Sequence, residues 1–453
     1  MTRLLVVAYY FPPRGGAGTQ RFAKFCKYLP EHGVEPVVLT SGNIEQNRNA
    51  PHDDPSLVTD ALVAVERVDP PARMPLSQRL RRAMRLDLDE EAWAAIAEER
   101  ALGLVQERAI DAVITTLSPF ACYRIGERLR RATGMPWLLD LRDPWALDGW
   151  RSYRTRFHAA ADLGHMRRAL VGADYVIANV PEAAKAYVAM GADPARTVVI
   201  PNGHDEEDFD APVSVPWAGD GRFHLVHMGT FHAVDTPEGL TRNGLSRVRH
   251  RQIEPLGRSG HYLLHALAQL RQRAPSLWSR LRVELYGNVD GSHRDLIERL
   301  GIDEVLSLHG YVPHRESIAA LTNADAVFVP LHGVPAGDRA LVVPGKLYEA
   351  LASESPVLAA LPEGDGADLV RALEAGLVVP PTDAAQLGAA LEQLVAGWSR
   401  QQPVAGCPRQ RLAPFSRRNL TKVLAAVVDA AVHGLETGGI ADPWQSAQLA
   451  RRS

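Results

Sequence analysis

A chain of 453 residues exceeds what one hydrophobic core ordinarily organises, so two domains are expected. Apolar residues make up 46% and charged residues 23%, and a net charge of −3 gives no global basic field of the kind a nucleic-acid binder carries. Cys26, Cys122 and Cys407 form no paired spacing, which speaks against a disulfide framework or a zinc site and fits a reducing cytoplasm.

The opening apolar stretch is too short for a signal peptide and turns at Phe11-Pro12-Pro13, so it reads as a first strand over 4–9. A helix over 18–28 and a strand over 37–40 follow, closed by Ser41-Gly42. Arg79, Arg81, Arg82 and Arg85 then cluster; on a helix they read as a solvated face, with contact to phosphates or anionic lipid as the alternative. A charged helical stretch over about 87–107 carries Trp93 and alanines at helical spacing. Strands over 112–115, 137–140, 175–178 and 198–200 complete a first half whose strand–helix rhythm implies a parallel sheet with covered faces.

Ala211-Pro212-Val213 and Pro216-Trp217-Ala218-Gly219 then form a Pro/Gly-rich joint. The alternation restarts with a strand over 223–227, a helix over 263–270, strands over 282–286, 326–330 and 356–359, and a helix over 387–398. Residues 232–257 interrupt it, carrying Arg242, Arg247, Arg249 and Arg251 among Gly and Pro, and read as a long functional or mobile loop. The expected division is 1–212 and 222–410, with a helix over about 415–433 packing back on the first half and a loose tail beyond Gly434. No run of about 18 apolar residues occurs, so no membrane span is expected, and attachment to a membrane surface stays open.

Four segments carry chemistry. Pro12 to Arg21 contains Gly15, Gly16 and Gly18 in a strand-to-helix turn, which brings backbone N–H groups and a helix start close to an anion. Arg21 occupies the third glycine position of the dinucleotide fingerprint, and the second strand ends without an acidic residue, which argues against a dehydrogenase; a turn needed only for packing is the alternative. In Pro344-Gly345-Lys346-Leu347-Tyr348-Glu349, Lys346 and Glu349 share a helix face, offering a cation for phosphate and a carboxylate for two ribose hydroxyls; the alternative is a surface salt bridge. Met228-Gly229-Thr230-Phe231 ends a strand where open α/β sheets bind ligands, and Asp140-Leu141-Arg142-Asp143-Pro144-Trp145 follows another strand; a plain turn and a structural Arg–Asp pair are their alternatives.

Taken in order, these segments resemble the glycosyltransferases of the GT-B fold, in particular the large retaining family four (group 1), over nearly the full chain. Tyr10-Phe11-Pro12-Pro13 with Gly15-Gly16 is similar to the family's opening loop. Asp174 to Ile177 followed by Ile200-Pro201-Asn202-Gly203-His204-Asp205 and Phe209 is similar to the stretch that leads to its linker. Met228-Gly229-Thr230, His309-Gly310-Tyr311-Val312, and Pro344 to Ala352 with Ser355-Pro356-Val357 are similar to its donor-binding segments. Two departures stand out. Leu341 occupies the place of the first of two family glutamates, Glu349 fitting the second, and Arg258 looks like a family arginine displaced by the insertion.

The resemblance implies an α/β fold of two Rossmann-like domains facing across a cleft, and a transfer of sugar from a nucleoside-diphosphate sugar with retention. It implies that Tyr311 and Val312 receive the base, Glu349 the ribose, and Arg258 and Lys346 the diphosphate. Gly229, Thr230, Gly345 and Leu347 would line the donor, with Gly15 and Gly16 closing over the sugar. Ser118, Arg142 and Asp143 would face the acceptor, a carbohydrate, lipid-linked or small molecule. With no Asp-x-Asp at a strand end, no metal or other cofactor is expected, and no nucleic-acid partner. The expected location is cytoplasmic, with peripheral contact to the inner face of a membrane left open. A non-catalytic GT-B-like partner subunit and a GT-B sugar-nucleotide epimerase are the rival readings.

Overall fold

The computed structural model describes residues 1–15, 17–42, 63–69, 90–210, 214–232 and 248–449. The chain divides into two compact units: Met1–Asn202 with Val248–His250 and Phe415–Ser446, and Gly203–Arg247 with Arg251–Pro414 and Ala447–Ser453.

The first unit is built on β1 (Thr2–Val7), β2 (Val34–Ser41), β3 (Ala64–Val68), β4 (Ala112–Leu117), β5 (Trp137–Leu141), β6 (Tyr175–Ala178) and β7 (Thr197–Val199). They form one seven-stranded parallel sheet in the order β3-β2-β1-β4-β5-β6-β7. Helix-covered parallel strands are buried on both faces and so read as continuous apolar runs. Leu4, Leu5, Val6 and Val7 are all fully buried. The helix Arg417–His433 closes one face: Leu420, Leu424, Val427, Val428 and Ala431 recur at helical spacing and share a core with Leu4, Val6, Phe22 and Tyr175. Each buried Leu or Val contributes roughly 1.5–3 kcal/mol. Ser416 caps the start of this helix by accepting from Asn419 N, and Gly434 (φ +69°) ends it.

The second unit holds β8 (Phe223–Met228), β9 (Leu281–Tyr286), β10 (Leu306–Gly310), β11 (Ala326–Pro330), β12 (Val357–Ala360) and β13 (Gly376–Val379). Its six-stranded parallel sheet runs β10-β9-β8-β11-β12-β13. Leu263, Leu267 and Leu270 of the helix His261–Arg273 pack with Leu225, Val283 and Leu285 of the sheet and with Leu391 and Leu394 of the helix Ala384–Ser399.

Both sheets therefore reverse their strand order once, between β1 and β4 and between β8 and β11. Ligands of open α/β sheets bind beyond the carboxyl ends of the strands at such a reversal. This directs attention to the segments after Val7 and Leu117 in one unit, and after Met228 and Pro330 in the other.

The structure corrects several sequence expectations. The first continuous segment of the first unit ends at Asn202 rather than at 212, and Ala211-Pro212-Val213 lies outside the described residues. Residues 232–257 are not one loop of the second half. Val248 pairs antiparallel with Tyr153, Arg249 donates to the Gly149 carbonyl, and His250 Nε2 lies 2.9 Å from the Ala159 carbonyl, so this short stretch belongs to the first unit. The remainder of the insertion from 233 to 247, with Arg242 and Arg247, lies outside the described residues, as do Arg79, Arg81, Arg82 and Arg85. The described part of the tail beyond Gly434 is not loose. Thr437 N and Oγ1 both donate to the Ala195 carbonyl, at 2.9 and 2.8 Å, and Trp444 in the helix Pro443–Leu449 is buried edge-on against Phe415. One aromatic anchor and one backbone pairing are enough to hold a short terminal segment. Among the described residues no helix is long and apolar enough to cross a membrane.

Candidate functional site

In the second unit the strand ends are brought together by glycines. Gly229 follows β8 with φ +111°, and Gly287 follows β9 with φ +112°, both in the region that favours glycine. A Cβ on Gly287 would sit 2.5 Å from the Gly229 carbonyl oxygen, and a Cβ on Gly229 would sit 2.9 Å from Lys346 Nζ. Gly287 N in turn donates to the Gly310 carbonyl at 2.6 Å. The ends of β8, β9 and β10 thus form a stair of backbone, with the Lys346 ammonium lying against its first step.

Lys346 is placed there by the helix Gly345–Ala352, which Pro344 opens; Leu347 and Tyr348 bury its other face. Burial, reinforced by the nearby Arg258 guanidinium and only partly offset by Glu349, pushes the Lys346 pKa from 10.5 down to about 7. Arg258 lies in the turn Pro255–Arg258. The same two cations act on His232, which burial, Arg258 and Lys346 together lower to about 4. His332, two residues beyond β11, is lowered to about 3 by burial, Arg258, His232 and Arg251. Both imidazoles are therefore neutral at pH 7, so the cations beside them are arginines, Arg258 and Arg251, with Lys346 only partly protonated at that pH.

The turn that carries Thr230 is pinned from below. Phe231 stacks between His227 (ring centroids 4.1 Å apart, planes 12° apart) and His293 (5.6 Å, 22°). His293 is itself held by Asp290 Oδ1 and the Ser259 carbonyl, each at 2.6 Å. Arg258 thus leaves a segment whose next residue is anchored in the core.

The expected donor residues divide as follows. Gly229, Arg258, Lys346 and Glu349 are neighbours through the contacts and charges just described, and Thr230 is exposed beside Gly229. Tyr311 and Val312 continue from Gly310; Tyr311 is 52% exposed and Val312 partly so. Gly345 starts the helix, whereas Leu347 is fully buried and offers no side chain to a ligand. Leu341 is also buried, so the position of the first family glutamate presents no polar side chain. His232 and His332 went unread in the sequence; their strand-end positions were the available signal.

In the first unit the corresponding reversal is ordered by arginines. Arg21 is buried and pairs with Asp140 at 2.7 Å, while also donating to the carbonyls of Ile200 and Pro201 at 2.8 Å each. Thr116 Oγ1 donates to the same carboxylate at 2.7 Å, so Arg21 ties the first helix to β4, β5 and the end of β7. Arg142 is nearer the surface. Its Nη2 lies 3.3 Å from Ser118 Oγ, its Nε 3.4 Å from Asp143 Oδ2, and its guanidinium 5.7 Å from the centre of the Tyr10 ring. A Cβ on Gly18 would collide with Arg142 Nη1 at 2.1 Å, so the glycine turn is what admits this arginine. Ser118, Arg142 and Asp143 are therefore brought together, with Asp143 the most exposed of them. Gly15 is buried in the same turn, and Gly16 lies outside the described residues. Among the described residues no cluster of His, Cys, Asp or Glu side chains is placed to hold a metal ion.

Residues 15–203 match the model of the glycosyl transferase 4-like domain, and residues 257–397 match that of glycosyl transferases group 1. The D-inositol 3-phosphate glycosyltransferase of Kineococcus radiotolerans is 29% identical over 258 residues, covering 54% of each chain. A putative colanic acid biosynthesis glycosyltransferase, WcaL of Salmonella typhimurium, is 28% identical over 204 residues, 41% of this chain and 47% of WcaL. The match spans about half the length of these curated relatives. The crystal structure of Anabaena Alr3699/HepE in complex with UDP and glucose superposes with a TM-score of 0.61 at 16% identity, over 95% of this chain and all of that one. With two parallel Rossmann-like units, matched family models on both, and a shared fold with such structures, the chain belongs to the group 1 glycosyltransferases of the GT-B fold.

Proposed function

We propose that this chain transfers a sugar from a nucleoside-diphosphate sugar to an acceptor hydroxyl, with retention of anomeric configuration and without a metal ion. The observation that carries the reading is the convergence of Arg258 and Lys346 on the glycine-lined strand ends, where the lysine proton is destabilised until an anion arrives. In the reaction the bond between the anomeric carbon and the diphosphate oxygen breaks. The acceptor oxygen bonds to that carbon on the same face, and its proton passes to the departing phosphate. Charge grows on the diphosphate as it leaves, and two fixed cations there stabilise it in the manner of a bound metal. Glu349 would accept from the ribose hydroxyls, and Tyr311 and Val312 would meet the base. In the first unit, Arg142 and Ser118, with Asp143, would orient the acceptor. HepE, crystallised with UDP and glucose, supports uridine as the first base to try. Carbohydrate, lipid-linked and small-molecule acceptors all fit a cytoplasmic enzyme that contacts the membrane at most from its inner face.

The test is incubation of the purified chain with UDP-sugars and an acceptor panel in EDTA, with the anomeric configuration of the product read by NMR. Inverted product, or dependence on added metal, would overturn those parts of the reading. The buried Leu341 favours one second reading, a non-catalytic partner subunit. Transfer by the wild type that disappears in Lys346→Ala eliminates it. Sugar conversion without any acceptor would instead indicate an epimerase.

A further inference from the structure

Beside the donor residues, the second unit contains a closed ring of side chains that has no part in the diphosphate grip. Trp217 stacks on His224 (centroids 4.4 Å apart, planes 14° apart). His224 Nδ1 meets Glu284 Oε1 at 3.0 Å, and the other oxygen of Glu284 meets His309 Nε2 at 2.6 Å. His309 stacks on Tyr286 (4.1 Å, 9°), and the Tyr286 hydroxyl accepts from Trp217 Nε1 at 3.2 Å, which closes the circuit. Asp220 Oδ1 lies 3.0 Å from the remaining nitrogen of His224.

Strand register explains the convergence. Val226 and Ser307 both stand opposite Glu284, and Met228 and Gly310 stand opposite Tyr286. Side chains alternate along a strand, so His224, Glu284 and Tyr286 share one face while Leu225, Val283 and Leu285 point into the core on the other; the register shifts between Leu308 and Gly310, and the extra residue there, His309, lies on the side of Glu284 and Tyr286. Burial works to raise the Glu284 pKa, but hydrogen bonds from His224 and His309 bring it down to about 2. The carboxylate is therefore an anion near neutral pH, with each oxygen against one imidazole and a further hydrogen bond from Ser307. A buried ion of this kind is weak evidence for stability, since an apolar layer of the same volume does as well, and its best-attested use is to specify one geometry.

The geometry specified here is that of His309, the residue before the Gly310 turn (φ +71°) from which the exposed Tyr311 projects. The ring holds the His309 side chain, and the Gly287 amide holds the Gly310 carbonyl at 2.6 Å, so the start of the 309–312 segment is fixed by both side chain and backbone. We propose that the ring of Trp217, His224, Glu284, Tyr286 and His309 positions the 309–312 segment to receive the nucleoside of the donor. The ring thereby contributes to recognition of base-bearing ligands and not to that of the diphosphate. This assignment rests on the donor reading above. Its members are positioning residues that act through the backbone they hold.

The experiment compares UDP with inorganic pyrophosphate, a ligand that lacks the base, by calorimetry on the full chain. Glu284→Gln keeps the shape and removes the charge, and His309→Phe keeps the stack and removes the bond to Glu284. Each is expected to weaken UDP about tenfold or more, about 1.4 kcal/mol per tenfold, while pyrophosphate stays within about twofold. Tyr286→Phe, which loses only the Trp217 bond, should weaken UDP by about two- to threefold, and it carries the test if the buried variants do not fold. Unchanged UDP affinity in the folded variants, or equal losses for UDP and pyrophosphate, overturns the proposal. A wild-type chain that binds pyrophosphate but no nucleoside diphosphate among UDP, GDP, ADP and TDP overturns the ring's role. A wild-type chain that binds neither overturns the donor reading itself.

Discussion

The two units have the same strand order at their reversals, yet they treat positive charge in opposite ways. At the strand ends of the first sheet Arg21 is matched by Asp140 and Arg142 touches Asp143 and Ser118, so each cation is oriented by the protein's own oxygens. At the strand ends of the second, Lys346 sits near Arg258, with Glu349 as the attractive charge that partly offsets it, and its proton is held less firmly than in water. The first set of strand ends presents directed hydrogen bonds, the property the proposed acceptor role calls for. At the second, burial and Arg258 disfavour the charged form of Lys346, a penalty that the proposed diphosphate would offset. Shared topology therefore does not imply shared chemistry; the difference lies in which side chains the strand ends carry.

Removing the Lys346 charge should have the largest effect. Lys346→Ala is expected to lower the rate of sugar transfer by about 10²–10³, the usual loss for one group aimed at developing charge. A variant that keeps more than about a tenth of wild-type turnover in a steady-state assay would remove Lys346 from that role.

Next comes the backbone stair. Gly287→Ala forces a Cβ to within 2.5 Å of the Gly229 carbonyl oxygen at a φ of +112°, so a loss of about 1–3 kcal/mol or more in unfolding free energy is expected, together with weakened UDP binding. Gly134→Ala, also at positive φ (+75°) but with open space around the added methyl, should lose less stability in the same denaturant titration and leave UDP affinity intact. Equal UDP losses in the two would mean that strain alone, and not closeness to the site, matters.

The comparison also has a pH signature. An anion bound beside Lys346 raises its pKa from about 7, so above that pH binding takes up a proton and affinity falls as pH rises toward the bound value. The fall can be at most about tenfold per pH unit for one proton. Calorimetry of UDP binding in buffers of different ionisation enthalpy reads the proton directly, and Lys346→Arg should remove the uptake while keeping the charge. Among the described residues the first unit shows no such lowered lysine at its reversal, and acceptor KM should not follow this profile.

The smallest effect belongs to the strand ends already matched with the protein's own oxygens. Arg142→Ala is expected to raise acceptor KM by about tenfold and Ser118→Ala by about two- to threefold, the worth of a charged and a neutral hydrogen bond respectively. Donor affinity should be unchanged in both. If UDP binding weakened instead, the assignment of these residues to the acceptor would fail.

Much of the fold was legible because buried strands announce themselves. Trp137–Leu141, Tyr175–Ala178 and Ala326–Pro330 are short apolar runs between turn signals, and both faces of each are covered. The strands that went unread, Ala64–Val68, Leu306–Gly310 and Gly376–Val379, all lie at sheet edges. An edge strand is only partly covered and mixes polar with apolar residues, so its period is weak. The motif positions Gly229, Lys346 and Glu349 could be named from their place after a strand or on a helix face, whereas His232 and His332 carry no motif and only their position beyond a strand end hints at them; their coupling to Arg258 appears in three dimensions.

Sequence alone determined the alternating α/β character of both halves, the absence of a dinucleotide fingerprint at Arg21, and the segments likened to a glycosyltransferase. These follow from local period and local turn chemistry, which a chain carries wherever it is placed. Only the tertiary structure decided that Val248–His250 joins the first unit, that the tail is anchored by Trp444, and that Gly229, Gly287 and Gly310 meet in one stair. The same holds for the lowered pKa of Lys346 and for the ring around Glu284, because each depends on which strand ends become neighbours. Burial and charge act through space, and that neighbourhood is a property of strand order and not of any single segment.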